Sequence, residues 1–490
     1  MKYITRYILI ILSIFFIYSC GDSNSTGPFE TIDEASAERQ FIWDAMNFWY
    51  FWQEDVPELA DDGAFFESEQ AFQDFLMSFE TPRDLFNNLQ FSAEDDFSFF
   101  IEDFEEFMQA QQGISRDFGF NFGLVQINNS ENVFGYVQFV LADSPADNAG
   151  LIRGDVFTSI NGTRLTVNNF REVLDSDNYV LTLADYEDGT VTETDETVEV
   201  QSVTLEENPI FLSTILEVNN SKAGYLVYNA FRTNSHRNLN DVFGNFQAQN
   251  IDELIVDLRY NGGGALVTSN VLASLISGLG SSREFSELAF NSKRSDQNRS
   301  ESFLDRMPVF NEQGERDGDI AMNKLSMDRV FILTGFGTAS ASEVLINSLK
   351  PFMEVILVGR QTVGKDEGSL TLVDSQPPFT DKNNANPDHR IAIQPIILKI
   401  VNSNDEDFPE GFIPDTGINE LDFLDNLPAL GDPSEPVLAG ALNIIGGQEP
   451  VASVFDAQHA TIPSNFEIIF DSNDMKRLAK EMYLLPEQIE

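Results

Sequence analysis

The sequence predicts an α/β protein: an N-terminal helical region, then an inserted β domain, then an α/β core with parallel strands. Three patterns carry this expectation. Over residues 34–112 apolar side chains recur at helical spacing, and over 113–204 short alternating runs are separated by turn residues. From about Gly224 onward strand-like runs alternate with helical ones, which is the signature of parallel strands joined by crossover helices. At ~100 to 200 residues per folded unit, a chain of 490 residues has room for about two to four such units.

The chain carries 29 basic and 80 acidic residues, a formal net charge of −51. Such a field repels polyanions, and nucleic-acid affinity comes largely from cations that neutralise phosphate, so a nucleic-acid partner is not expected. At the amino terminus, Lys2 and Arg6 precede an apolar run, Tyr7 to Tyr18, too short to span a bilayer but suited to a signal-peptide core. Cys20 ends this region and is the only cysteine, so it cannot form an internal disulfide. The segment resembles a bacterial lipobox. That implies a signal peptide over 1–19, cleavage before Cys20, lipidation of its thiol and a tether over 20–33. The expected location is the cell envelope, on the periplasmic face or at the outer membrane, with the membrane as a partner through the anchor. The alternative is an ordinary signal peptide with an incidental cysteine.

In the helical region, Phe41, Ala45, Trp49 and Trp52 form a core-facing stripe ended by Pro57, and Thr81-Pro82 reads as the cap and first turn of another helix. In the β region, residues 133–140, 156–160, 179–183 and 197–203 are strand candidates and Asn161-Gly162 is a turn. The stretch SPADNAGLIRGDVFTSINGTRL, Ser144 to Leu165, resembles a PDZ domain. That resemblance places a carboxylate-binding loop at Phe118-Gly119-Phe120-Asn121-Phe122-Gly123, where backbone amides would hold the terminal carboxylate of a peptide added as an extra strand.

In the core, residues 254–258 read as a strand, Asn261 to Gly264 as a glycine loop and Ala265 to Ile276 as a helix. A strand over 329–333, a helix over 339–349 and a strand over 355–358 follow. The polar stretch 281–328 reads as an insertion or mobile connection, and a Pro-containing linker after Asp432 leads to a short helix near Val437 to Ile445. The resulting division is 34–112 helical, 113–204 peptide-binding, 205–432 core and 433–490 a C-terminal extension.

Catalytic groups in parallel α/β sheets gather at the carboxyl ends of strands. Ser340 opens the helix after one such strand and Lys365 follows the next, so one helix and one strand return both to the same sheet edge. A serine hydroxyl needs a base to remove its proton. The three histidines, His236, His389 and His459, lie in no triad-like context and no GxSxG elbow surrounds Ser340. A lysine can serve when burial favours the neutral amine, which makes Ser340 and Lys365 a candidate Ser-Lys dyad. The N–H of Ala341 at the helix start and an amide of Gly263 or Gly264 are candidate oxyanion donors.

The order of PDZ-like module, DLRYNGGG (Asp257 to Gly264), GTASASE (Gly337 to Glu343) and VGK (Val363 to Lys365) resembles the C-terminal processing peptidases, or tail-specific proteases. The resemblance implies a crotonase-like αβ core, Ser340 as nucleophile, Lys365 as base, and protein or peptide substrates with free C-termini. DDFSFF (Asp95 to Phe100) and EGFIPD (Glu410 to Asp415) also look like the lipoprotein branch of this family from Bacteroidetes-type bacteria. Many members carry an orienting glutamine four residues after the lysine. This chain has Ser369 there, which leaves one hydroxyl for the task, with Glu343 as an auxiliary candidate.

Other chemistries fit less well. Gly359 to Lys365 reads GxxxxGK, but Asp366 stands where a phosphate loop needs Ser or Thr, so no nucleotide is expected. HExxH, paired cysteines and clustered histidines are absent, so neither a metal nor another cofactor is expected. The competing class is a non-catalytic lipoprotein that binds protein tails through the PDZ-like module. Asp366-Glu367 beside Lys365 favours that class, because a carboxylate touching an amine stabilises its charged form.

Overall fold

A computed structural model of the chain describes residues 34–61, 66, 68–127, 130–311, 313–448, 466–476 and 478–489. The expected signal peptide and tether, with Cys20, lie outside the described residues, as does His459.

Four helices, Glu34–Trp49, Glu69–Met77, Pro82–Asn88 and Phe104–Gln111, make up the N-terminal region. Phe41, Ala45, Trp49 and Trp52 are all buried, as their spacing predicts. Thr81 accepts the Asp84 N–H and Asp84 returns a carboxylate to the Thr81 N–H, which fixes the third helix start from both sides.

The β domain is a sheet ordered Phe466–Asp471, Phe120–Ile127, Val133–Val140, Val156–Ile160, Asn178–Glu187 and Thr190–Gln201. Asn161 and Gly162 take φ of 52° and 74°, the left-handed pair that a tight hairpin turn requires. The last two strands are longer than expected and form one hairpin, whose outer strand is largely exposed and so shows little apolar alternation.

The core holds a six-stranded sheet in the order Ile210–Val218, Ser221–Tyr228, Glu253–Asp257, Arg329–Thr334, Glu354–Gly359 and Thr416–Gly417, parallel from the second strand onward. Helices Leu266–Ser277 and Ala341–Leu349 bury almost every side chain between this sheet and a second one. The second sheet runs Gly264–Ala265, Met482–Tyr483, Glu367–Ser369, Ile396–Val401, Glu284–Phe290 and Arg299–Ser302.

Two expectations need correction. Residues 281–328 are not a mobile connection: they contribute Glu284–Phe290 and Arg299–Ser302 to the second sheet and a hairpin, Met307–Phe310 with Arg316–Ile320. Nor is 433–490 a separate extension. Helix Pro436–Ile445 packs on the parallel sheet, Phe466–Asp471 joins the β domain, and Met482–Tyr483 sits inside the second core sheet.

Candidate active site

Ser340 is fully buried and follows the strand Arg329–Thr334 through a short turn. Its backbone takes φ 63° and ψ −118°, a conformation that costs a non-glycine residue about 1–3 kcal/mol. Strained elbows usually rely on flanking glycines; here Ala339 and Ala341, both fully buried, supply the small neighbours. Ser340 Oγ has no hydrogen-bond partner among the described residues, so the hydroxyl is not spent on capping the helix it opens.

Glu343 organises the surroundings. Its Oε2 accepts the N–H of Ser340 at 2.7 Å and that of Lys365 at 3.0 Å, while Oε1 accepts the N–H of Gly364 at 2.7 Å and the Thr362 hydroxyl. The main chains of Ser340 and Lys365 lie together, since one carboxylate oxygen accepts the N–H of both. Burial pushes the Glu343 carboxyl up, and its four donors pull it back.

The Lys365 side chain is fully buried and makes no hydrogen bond to the Ser340 hydroxyl. Nζ donates to Glu481 Oε1 at 2.9 Å and lies 4.5 Å from the centre of the Phe97 ring. Ser369 donates to Glu481 Oε2 at 2.6 Å and accepts from Gln394 Nε2 at 2.9 Å. Ser369 thus sits between Gln394, on another strand, and the Glu481 carboxylate. Burial pushes Glu481 up, opposed by Lys365 and by the Ser369 hydroxyl. Asp366 and Glu367 do not pair with Lys365; their carboxylates lie 3.8 and 3.3 Å from Lys399 Nζ.

The glycine loop lies against Ser340. A Cβ on Gly263, whose φ is +114°, would stand 2.9 Å from Ser340 Cβ and 2.4 Å from the Glu481 carbonyl oxygen, so only glycine fits between them. The Gly263 N–H donates to Asn261 Oδ1 at 2.9 Å and the Gly264 N–H to the Glu481 carbonyl at 2.6 Å. Both expected oxyanion amides are therefore engaged in this conformation, and Ala341 remains as the first residue of its helix. Just before the loop, Arg259 is buried between Asp257 and Glu435 with bonds of 2.6 to 3.0 Å.

A cleft of about 290 Å³ connects the glycine loop to the segment expected to bind a carboxylate, lined by Phe118, Phe120, Asn121 and Phe122 and by Gly262 to Gly264. Within that second loop, Gly119 packs against Ser144 and Gly123 against Tyr136, while Asn121 and the Phe122 amide face the tail.

His236, pushed down to about 4 by burial, bonds the Pro308 carbonyl and the Thr268 hydroxyl, and His389 bonds Asp374, so neither engages Ser340. Among the described residues no cluster of histidines, cysteines and carboxylates could hold a metal. The sequence did not single out Glu481, Gln394 or Arg259. Of these, only Arg259 had a signal, its place in DLRYNGGG.

Residues 222–385 match the model of Peptidase family S41, residues 37–99 that of the Peptidase S41 N-terminal domain, and residues 137–183 that of a PDZ domain. A carboxyl-terminal-processing protease of Picosynechococcus is 28% identical over 36% of this chain and 36% of its own. One of Synechocystis is 26% identical over 49% of this chain and 52% of its own. The chain thus spans between a third and about half the length of these curated relatives. A solved structure from Bacteroides fragilis, provisionally classed as an S41 protease, superimposes with a TM-score of 0.62 at 25% identity, covering 83% of this chain and 97% of that one.

Proposed function

Because this chain belongs to peptidase family S41, we propose that it is a serine endopeptidase cleaving proteins recognised through their C-terminal tails. Ser340 is the nucleophile and Lys365 the general base. The observation that carries this reading is Ser340 itself, a buried hydroxyl without a partner among the described residues, held in a strained backbone between the glycine loop and the loop bearing Lys365. A serine that merely begins a helix spends its oxygen on a cap, and strain of this kind persists where a site needs it.

In this mechanism the neutral Lys365 amine takes the Ser340 proton as Oγ attacks the scissile carbonyl carbon. The tetrahedral oxyanion receives the Ala341 N–H and a glycine-loop N–H. Collapse breaks the C–N bond, and the leaving amine takes the proton back from Lys365. Water, deprotonated by the same amine, then releases the acyl group from Ser340. Glu343 is a positioning residue, fixing the backbones of nucleophile and base, and Ser369 helps hold the environment of the amine. The fold of stacked sheets fits a crotonase-like core, and Cys20 fits a lipid anchor that would place the enzyme in the cell envelope. Intact-mass measurement of the mature chain would reveal that lipid.

The test is cleavage of an unfolded reporter with an apolar C-terminal tail. Ser340→Ala should abolish cleavage while leaving tail binding intact, and equal turnover by the variant refutes the assignment. A second reading, a catalytically silent tail-binding lipoprotein, is favoured by one observation, the Lys365–Glu481 pair. It predicts binding without cleavage in every variant.

A further inference from the structure

The C-terminal segment of this chain occupies, one after another, the places a substrate needs. Phe466–Asp471 adds antiparallel to Phe120–Ile127, with Phe466 opposite Ile127 and Asp471 opposite Gly123. It therefore runs toward the carboxylate-binding loop, as a bound C-terminal peptide would. Phe470 is 6% exposed and enters the apolar cluster with Phe120, Phe122 and Leu174, its ring centre 5.4 Å from that of Phe170. At the loop, Ser472 Oγ accepts the Phe122 N–H at 2.9 Å and Asn473 Oδ1 accepts from Asn121 Nδ2 at 2.6 Å. The Phe122 N–H is one of the backbone donors that the PDZ resemblance assigns to a peptide carboxylate, and the Asn121 side chain adds a second bond beside it.

The same segment then crosses the catalytic centre. Lys476 pairs with Glu207, which Lys476 and Arg232 hold at about 2 against the cost of burial. Met482–Tyr483 runs alongside Gly264–Ala265, the Glu481 carbonyl takes the Gly264 N–H, and the Glu481 carboxylate takes Lys365 Nζ. In this arrangement the Lys365 amine is engaged by the Glu481 carboxylate and not by the Ser340 hydroxyl. Peptide groove, oxyanion donor and base are each engaged by one stretch of the chain, the groove strand and the Gly264 N–H through its backbone and Lys365 through the Glu481 carboxylate.

We infer that residues 466–489 act as an in-cis pseudosubstrate that holds the peptidase inactive until a substrate tail competes for the Phe120–Ile127 edge and draws Glu481 away from Lys365. This rests on the peptidase reading and adds the regulation of the same site. The device is bistable in the sense that a competing strand can shift it only through better contacts at the same edge. Met482 and Leu484, 1% and 2% exposed, anchor the far end, so release at the groove need not unfold the core.

The experiment uses the full chain and two point variants. Glu481→Gln removes the charge from the Lys365 pair, and Phe470→Asp expels the strand from its groove. Rates are read with fluorescent casein, and groove occupancy is read as the anisotropy of a labelled peptide with the sequence of residues 466–475. Folding is checked by the melting curve. Both variants should cleave casein severalfold faster than the unaltered chain. The peptide should bind Phe470→Asp but not the unaltered chain. Slower cleavage by Glu481→Gln would make Glu481 a positioning partner of the base and overturn the inference, as would equal peptide binding by both chains. If no chain cleaves casein yet the peptide binds only Phe470→Asp, the peptidase reading falls while occupancy of the groove in cis stands.

Discussion

Ser340 donates its main-chain N–H to Glu343 Oε2 at 2.7 Å, and the same oxygen accepts the N–H of Lys365. Ser340 and the loop of Lys365, the proposed nucleophile and base, are therefore set by one carboxylate. Glu343→Ala would leave buried donors without an acceptor. It should destabilise the chain by about 3 kcal/mol or more and remove cleavage, read by denaturant melts and a casein assay. An unchanged midpoint would show that the bridge does not hold the site.

Gly263 stands where a methyl group would strike both Ser340 Cβ and the Glu481 carbonyl. Gly263→Ala should cost about 1–3 kcal/mol from its φ alone and lower turnover more than it lowers binding of a C-terminal peptide. Equal turnover in a folded variant would remove the loop from the mechanism.

Arg259 ties the glycine loop to Asp257 and to Glu435, which caps helix Pro436–Ile445 through the Leu438 N–H. Against the cost of burial, Arg259 and Arg153 hold Glu435 at about 2. Arg259→Ala leaves two buried carboxylates short of their partner and should cost about 3–5 kcal/mol, seen as a shift of the urea midpoint. A loss below about 1 kcal/mol would mark the network as energetically idle.

The buried carboxyls set a pH dependence of stability. Burial, then the adjacent Asp366, pushes Glu367 up to about 7, and burial pushes Asp471 up to about 6. Groups raised above their ordinary values of 4.5 and 3.8 favour the fold fully below those values. That contribution is lost as pH rises through about 6 to 7. Glu207 and Glu435, held near 2, contribute above 4.5 and are lost only toward strong acid. The melting temperature should therefore fall by about 2 °C or more from pH 5 to pH 8, and a rise over that interval contradicts the assignment.

The core elements and the residues around Ser340 were legible because each lies on one strand–loop–helix unit whose apolar runs and small residues are contiguous. The tail was not. Glu481 meets Lys365 across 116 positions of sequence, and Met482–Tyr483 is too short a strand to show a period. Residues 281–328 were misread because strands such as Arg316–Ile320 are almost wholly exposed and polar, with no buried face to betray them. Ser369 was noted as a departure, but the roles of Gln394 and Glu481 beside it depend on strands brought together only by folding.

The dyad is tested most directly by mass-spectrometric mapping of a fluorophosphonate probe, which acts as an electrophile toward an activated serine. The probe should form its adduct at Ser340, and labelling should disappear in Lys365→Met while the melting curve stays cooperative. Labelling of Ser340 at the same rate in Lys365→Met, or an adduct only at another serine, would contradict a Ser-Lys peptidase.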